Sequence, residues 1–181
     1  MRARKAYAQS AGFSQRIYRG EEIDEPLIHR CAQLLRETLR EKTLAMSKDQ
    51  DRVIRNFRDS YKQQYRIAAY AKEGEVLAFV STVQIGSSLF GMQVGYEAAI
   101  AKDSHIYQRM LYDILDMAIG LGIRHVNFGR TATEIKSTIG AEPVDNEYLV
   151  FVRNPLTRTL VRRLSPLFYR KKPYTVRQPF K

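Results

Sequence analysis

Three histidines, His29, His105 and His125, are scattered over separate segments of the 181-residue sequence. None is spaced from another as metal ligands are, so no metal centre is expected. No Ser-His-Asp arrangement can be read either. Cys31 is the only cysteine, which excludes an internal disulfide; it falls on an apolar helical stripe and reads as a buried small hydrophobe rather than a reactive thiol. The chemistry left to the chain is that of carboxylates, phenols, amides and cations, among which Asn127 and Arg130 stand out by position. Arg130 follows Gly129 at the end of a strand-like run, where its side chain projects into whatever cleft the sheet opens. Asn127 is polar in an otherwise apolar strand, and a buried Asn needs partners, so it either orients Arg130 or satisfies a loop. Asp113 and Asp116 fall on the polar side of a helical pattern and read as solvated.

The elements that would position these residues follow from period and punctuation. Residues 2–11 have helix-forming composition and stop at Gly12; Phe13 to Tyr18 reads as a short strand. Asp24, with Glu25-Pro26 after it, opens a helix whose apolar stripe is Leu27, Ile28, Cys31, Leu34, Leu35 and Leu39. Ser47 is expected to cap a second helix, with Gln50 completing a capping box. The period then switches: Tyr65–Ala71, Val76–Ile85 and Phe90–Ile100 are consecutive strands with short connections, an antiparallel meander. Ser104 caps a helix from about His105 to Leu121, closed by Gly122. A strand over Ile123–Phe128 follows, implying a parallel crossover. A short helix over Thr133–Ile139, a strand over Glu147–Val152 and a helix opened by Asn154-Pro155 complete the chain. The fold class is α+β, one domain over 1–181 built on a mixed, mostly antiparallel sheet flanked by helices.

The net charge of +11 is unevenly spread. Residues 1–20 carry five Lys/Arg and no acid, and residues 148–181 carry nine and no acid, so the body between them is close to neutral. Such termini suit an anionic partner: nucleic acid, a phospholipid surface or a phosphorylated cofactor. In the last helix Leu156, Leu160, Val161, Leu164, Leu167 and Phe168 share a face, while Arg158, Arg162 and Arg163 lie mostly away from it. That stripe is expected to pack on the domain; left free, it would suit the interface of an anionic membrane. No apolar run approaches the eighteen or so residues of a membrane span, and the basic N-terminus lacks the apolar core of a secretory signal. The expectation is a cytoplasmic protein, with peripheral contact at the inner membrane face if the last helix is free.

Beyond these readings, Tyr107-Gln108-Arg109-Met110-Leu111-Tyr112, the run from Gly122 to Ala132 (GIRHVNFGRTA), Lys136 and Gly140-Ala141-Glu142-Pro143 together resemble the C-terminal half of Fem-like acyltransferases. That group is related to the GNAT acyltransferases and includes the aminoacyl transferases of peptidoglycan bridges. The element order also resembles the GNAT fold over nearly the whole chain. The resemblance implies acyl transfer from a thioester or aminoacyl donor to an amine. It implies Glu97 as the base that takes the amine proton, the alternative being an outward-facing strand acid. Tyr112 is implied as an acid to the leaving group, the alternative for Tyr107 and Tyr112 alike being packing, and Lys136 as a cation stabilising charge on the reacting carbonyl. Arg130, Thr131, Asn127, Lys102 and Tyr107 are the candidates for holding substrate or donor.

Two departures bear on the donor. The glycine-rich loop that cradles the pyrophosphate of acetyl-CoA in GNATs is replaced by Ile100-Ala101-Lys102-Asp103-Ser104-His105, which has no glycine. The donor is therefore acetyl-CoA, another acyl-CoA, an acyl carrier protein or an aminoacyl-tRNA. Bridge-forming Fem enzymes carry two GNAT-like units and this length has room for one, so the expectation is either the C-terminal unit of a larger ancestor or a chain that pairs with another, as in a homodimer. The competing reading is a non-catalytic basic module that binds nucleic acid or an anionic membrane.

Overall fold

A computed structural model describes residues 2–39, 49–100, 104–129, 132–145, 151–168 and Thr175. The chain divides into two compact units, Met1–Arg130 and Thr131–Lys181. The first holds helix α1 (Arg2–Gln9), strand β1 (Ser14–Arg19), helices α2 (Glu25–Leu39) and α3 (Gln50–Tyr61), and strands β2 (Tyr65–Lys72), β3 (Glu75–Ile85) and β4 (Ser88–Tyr96). Helix α4 (Ile106–Gly120) and strand β5 (His125–Asn127) complete it. The sheet runs β1-β2-β3-β4-β5 in sequence order. The first four strands are antiparallel, and β5 joins β4 in parallel after the α4 crossover. This is the mixed, mostly antiparallel sheet flanked by helices that the sequence implies.

β2 is buried over its first six residues because both faces of the sheet are covered. Ile67 and Ala69 face a core built with α2 and α3, while Ala68 and Tyr70 face a second core built with α4. α2 starts where Asp24 predicts: the Asp24 carboxylate accepts the Leu27 amide at 3.0 Å. α3 starts otherwise than expected. Ser47 lies outside the described residues, and the cap is Asp49, which accepts the Arg52 amide at 3.0 Å. Asp49 directly precedes the helix, so the orphan amides of its first turn are within reach of the carboxylate.

The tightest fit on the α2 side is at Gly95 in β4. A Cβ there would stand 2.5 Å from Phe79, 2.7 Å from the Leu35 nitrogen and 2.8 Å from the Leu34 carbonyl carbon. Two of those three atoms are helix backbone, which cannot step aside as a side chain can. Just beyond, the Tyr96 amide donates to Thr38 Oγ1 (3.0 Å), so α2 also closes the end of the strand.

On the opposite face a buried polar group joins α1 to α4 and corrects the reading of Asp113 as solvated. Asp113 is 8% exposed. Its carboxylate accepts from Tyr7 Oη (2.6 Å), Tyr70 Oη (2.7 Å) and Gln15 Nε2 (3.2 Å), and Arg109 Nε lies 3.5 Å away. Arg109 in turn donates to the Ser10 and Phe13 carbonyls at 2.7 and 3.1 Å, and its guanidinium lies against the Tyr7 and Tyr70 rings. The basic N-terminal segment is thus a docked helix and strand rather than a loose tail.

Three strand limits differ from expectation. β4 begins at Ser88 and stops at Tyr96, with Ala98–Ile100 wound into a single 3₁₀ turn. β5 keeps only His125–Asn127 of the apolar run, because the chain bends away once it passes Phe90 of β4. Most of the expected strand over 147–152 lies outside the described residues, and Phe151 and Val152 are not in a strand.

The second unit contains helices α5 (Thr133–Ser137) and α6 (Pro155–Phe168). Asn154 caps α6 as expected, its Oδ1 accepting the Leu156 amide at 2.9 Å. Four residues of the apolar stripe of α6, Leu156, Leu160, Val161 and Leu164, are exposed. No helix among the described residues is long and apolar enough to cross a membrane.

Gly95→Ala is expected to destabilise by about 1–3 kcal/mol, lowering Tm by roughly 4–10 °C in a calorimetric scan. Gly120→Ala, where an added Cβ meets nothing within 4 Å, should leave Tm unchanged or raise it slightly. Asp113→Ala leaves a largely buried guanidinium without its carboxylate and should cost about 3–5 kcal/mol; urea unfolding at neutral pH measures it.

Candidate active site

The feature of the sheet that can do chemistry is the parting of β4 from β5. Pairing is confined to Ser88 with His125, Leu89 with Val126 and Phe90 with Asn127. From Gly91 on, β4 stays paired with β3 on one side and, among the described residues, has no strand on the other. Main-chain amides and carbonyls on that side are obligatory hydrogen-bonding groups without a ladder partner. The two chains separate at glycine: an added Cβ on Gly91 would stand 3.5 Å from the Asn127 carbonyl oxygen, and Gly129 turns away with φ +75°. Asn127 serves this turn, its Oδ1 accepting the Gly129 amide at 2.8 Å. This is the loop-satisfying role; Arg130, the partner in the other role open to it, lies outside the described residues.

β4 carries an irregularity at the same place. The register passes from Val80 opposite Val94 to Thr82 opposite Gly91, so β4 accommodates an extra residue around Met92 and Gln93. Ser81 and Tyr65 fix what it presents. Ser81 Oγ accepts the Gln93 amide (3.1 Å) and donates to Gln93 Oε1 (2.8 Å), and Tyr65 Oη donates to the same oxygen (2.9 Å). With its carbonyl oxygen held twice, the Gln93 side chain has its Nε2 left as an oriented donor. Sequence reasoning missed Gln93, since a lone Gln in a strand carries no signal; the neighbouring Gly91 and Gly95 were the available hint of an irregular strand.

Glu97 stands one residue past the end of β4 rather than within the strand. Its Oε1 accepts from the Arg30 guanidinium of α2, which also donates to the Val76 carbonyl at 2.7 Å and to Glu75 at 3.1 Å. The Glu97 side chain remains 29% exposed, so it is an oriented, solvent-reachable carboxylate. Tyr107, in the first turn of α4, meets Tyr96 at the end of β4 edge-on, ring centroids 6.4 Å apart. Burial, with Tyr96 beside it, pushes its phenol up to about 12. Tyr112 is elsewhere: its ring lies 6.5 Å from Tyr7 in the contact between α4 and α1. Gln93 and Glu97 are thus held from the α2 side of β4, Tyr107 packs at the end of β4 on the α4 side, and Tyr112 lies against Tyr7.

The N-terminus of α4 is built without glycine. His105 takes the left-handed conformation (φ 48°), where glycine would be unstrained, and its Nδ1 pairs with Gln108 Oε1 at 3.1 Å. Ser104 Oγ accepts the Ile106 amide at 3.3 Å and donates to the Ile100 carbonyl. In the second unit Lys136 is buried, 7% exposed. Lys102, Arg130 and Thr131 lie outside the described residues. A surface depression of about 550 Å³ at the other edge of the sheet is lined by Ile17, Arg19, Glu21, Glu22 and Gln63 and shares no residue with this site.

Residues 1–137 match the family model described as the acetyltransferase (GNAT) domain. No curated protein matches the sequence. Solved structures do match in fold. A predicted acetyltransferase from Clostridium acetobutylicum, crystallised with acetyl-CoA, is 13% identical with a TM-score of 0.57, the match covering 80% of this chain and 97% of that one. An aminoglycoside acetyltransferase from an uncultured soil metagenomic sample, in complex with sisomicin, is 8% identical, TM-score 0.53, covering 80% and 96%. A Trypanosoma brucei acetyltransferase is 10% identical, TM-score 0.54, covering 77% and 99%.

Burial raises the phenols of Tyr7, Tyr65, Tyr70 and Tyr107, most strongly by desolvation. In the unfolded chain a tyrosine ionises near pH 10. Above that pH the unfolded state holds fewer protons than the native state, so stability must fall as pH rises. Below pH 10 these phenols should leave stability independent of pH. Urea midpoints should therefore be lower at pH 11 than at pH 9, and Tyr107→Phe should shrink the difference.

Proposed function

Because the chain belongs to the GNAT acetyltransferase family, we propose that it transfers the acyl group of an acyl-CoA thioester to a primary amine. The observation that carries this is the unpaired edge of β4 from Gly91 onward, opening beside the first turn of α4. An extended chain bearing amides can hydrogen-bond along such an edge as an added strand does. The arm of an acyl-CoA is such a chain, so this part of the donor fits. The phosphate end fits less well, because His105 stands where the backbone favours glycine and Ser104 already takes the Ile106 amide. First-turn amides of α4 with Lys102 are the groups that would meet phosphate.

An acyl-CoA supplies an activated carbonyl on a thiol leaving group. The remaining roles fall to this chain's own residues. Glu97, oriented by Arg30, takes the proton of the incoming ammonium, directly or through one water. Gln93 Nε2 and the irregular stretch of β4 offer donors to a carbonyl oxygen gaining charge. Tyr107, protonated throughout the neutral range, can give a proton to the departing sulfur. Lys136 is carried as a charge-stabilising group by the Fem-like resemblance alone, as are Arg130, Thr131 and Asn127 as substrate or donor contacts. We place the chain on the Fem-like branch on the strength of the run from Gly122 to Ala132 and Lys136. An aminoacyl or carrier-protein donor is the variant of the reaction that this placement brings with it. Acceptors of the polyamine and aminoglycoside type are the first to try, the latter because a structural neighbour was crystallised with sisomicin.

Acetyl-CoA at 100 times its Kd should add about 2.7 kcal/mol and raise Tm by roughly 5–10 °C. Thiol release with an amine panel should follow. Glu97→Gln should keep the shift and lower kcat by at least 100-fold at neutral pH; unchanged turnover removes Glu97 from the mechanism. Lys136→Met with kcat intact does the same for Lys136. No shift and no thiol release, with aminoacyl-tRNA equally inert, would return the chain to a non-catalytic binding role.

A further inference from the structure

The exposed stripe of α6 is the surface feature that acyl transfer does not account for. Leu156 is 82% exposed, Leu160 56%, Val161 39% and Leu164 36%, and Phe151 just before the helix is 88% exposed. At 100° per residue the four helix positions occupy one continuous arc, with Arg158 and Arg162 opposite it and Arg163 at its border. From Tyr148 to Lys181 the sequence has nine Lys/Arg and no acid. A helix so built has an apolar side facing water and a polar side that carries only positive charge.

We propose that α6 docks the protein on an anionic bilayer, lying in the interface plane with the leucine stripe toward the acyl chains and the arginines among the lipid phosphates. Charge complementarity selects this occupant. The run lacks any carboxylate that an anionic surface would repel, and each basic residue near such a surface adds about 1 kcal/mol. The apolar arc argues against nucleic acid, which offers phosphates but no apolar layer to receive three leucines. Length excludes a span: fourteen residues rise about 21 Å, short of the ~30 Å hydrocarbon core. The inference is independent of the acyl-transfer reading.

The test is flotation of the full chain with vesicles of phosphatidylcholine alone and with a third phosphatidylglycerol, at low and moderate salt. Binding is expected to the anionic vesicles, weakened by salt and slight on phosphatidylcholine. Arg158→Gln with Arg163→Gln should weaken partitioning about 25-fold, about fivefold for each charge. Leu160→Glu should weaken it at least tenfold with Tm unchanged, because that side chain is exposed in solution. Failure of the parent chain to float, equal binding to both vesicle types, or full binding by Leu160→Glu would each overturn the proposal. Retention of a single-stranded oligonucleotide by a chain that ignores vesicles would reassign the basic surface to nucleic acid.

Discussion

The approach of the α2 backbone to β4 at Gly95 is the constraint on which the rest of the first unit depends. Helix and strand meet main chain to main chain there, closer than any side chain would allow. Two further ties follow within two residues: Thr38 takes the Tyr96 amide and Arg30 takes the Glu97 carboxylate. Together they hold the end of β4 from the α2 side. The strand can then part from β5 on its other edge without losing its place. An open strand edge is ordinarily a liability, inviting association. Here it is short, irregular and held by a helix.

The opposite face is organised by a different force. Asp113 and Arg109 are charges inside an apolar layer, and hydrogen bonds to the remaining polar atoms offset the cost of burying such a pair. Tyr7, Tyr70 and Gln15 meet the carboxylate, and the Ser10 and Phe13 carbonyls accept from Arg109 Nη1, while its Nε has only the ion pair to Asp113 at 3.5 Å. Those partners come from α1, the loop after it, β1 and β2. The N-terminal segment is therefore part of the fold through polar contacts more than through its few apolar residues, of which Ala6 and Phe13 are buried. The cost is that Tyr7 and Tyr70 must stay protonated, so this face loses stability at alkaline pH.

Electrostatics also divide the two ends of the chain. At the N-terminus Arg109 and the sheet absorb the segment into the body, although it carries five cations. In α6 the cations remain on an exposed helix whose apolar face is exposed as well.

What the sequence by itself determined were the quantities that local chemistry sets. Period placed the helices and the meander, Asp24 and Asn154 announced their caps, and a fifteen-residue helix between β4 and β5 required a parallel crossover. Cys31 on its apolar stripe was legible as core, and it is fully buried, its thiol pushed up to about 12 by desolvation. What only the tertiary structure decided was which polar groups are inside and which strands stop early. Asp113 lies on the polar side of its own helix yet is buried, because α1 folds across it; no local period records a neighbour about a hundred residues away. Gln93 acquires a fixed direction only from Ser81 and Tyr65, and β4 ends at Tyr96 because α2 takes its last amide. Tyr107 and Tyr112 are equivalent as sequence, but a helix separates them by more than a turn, and only one of them meets the end of β4.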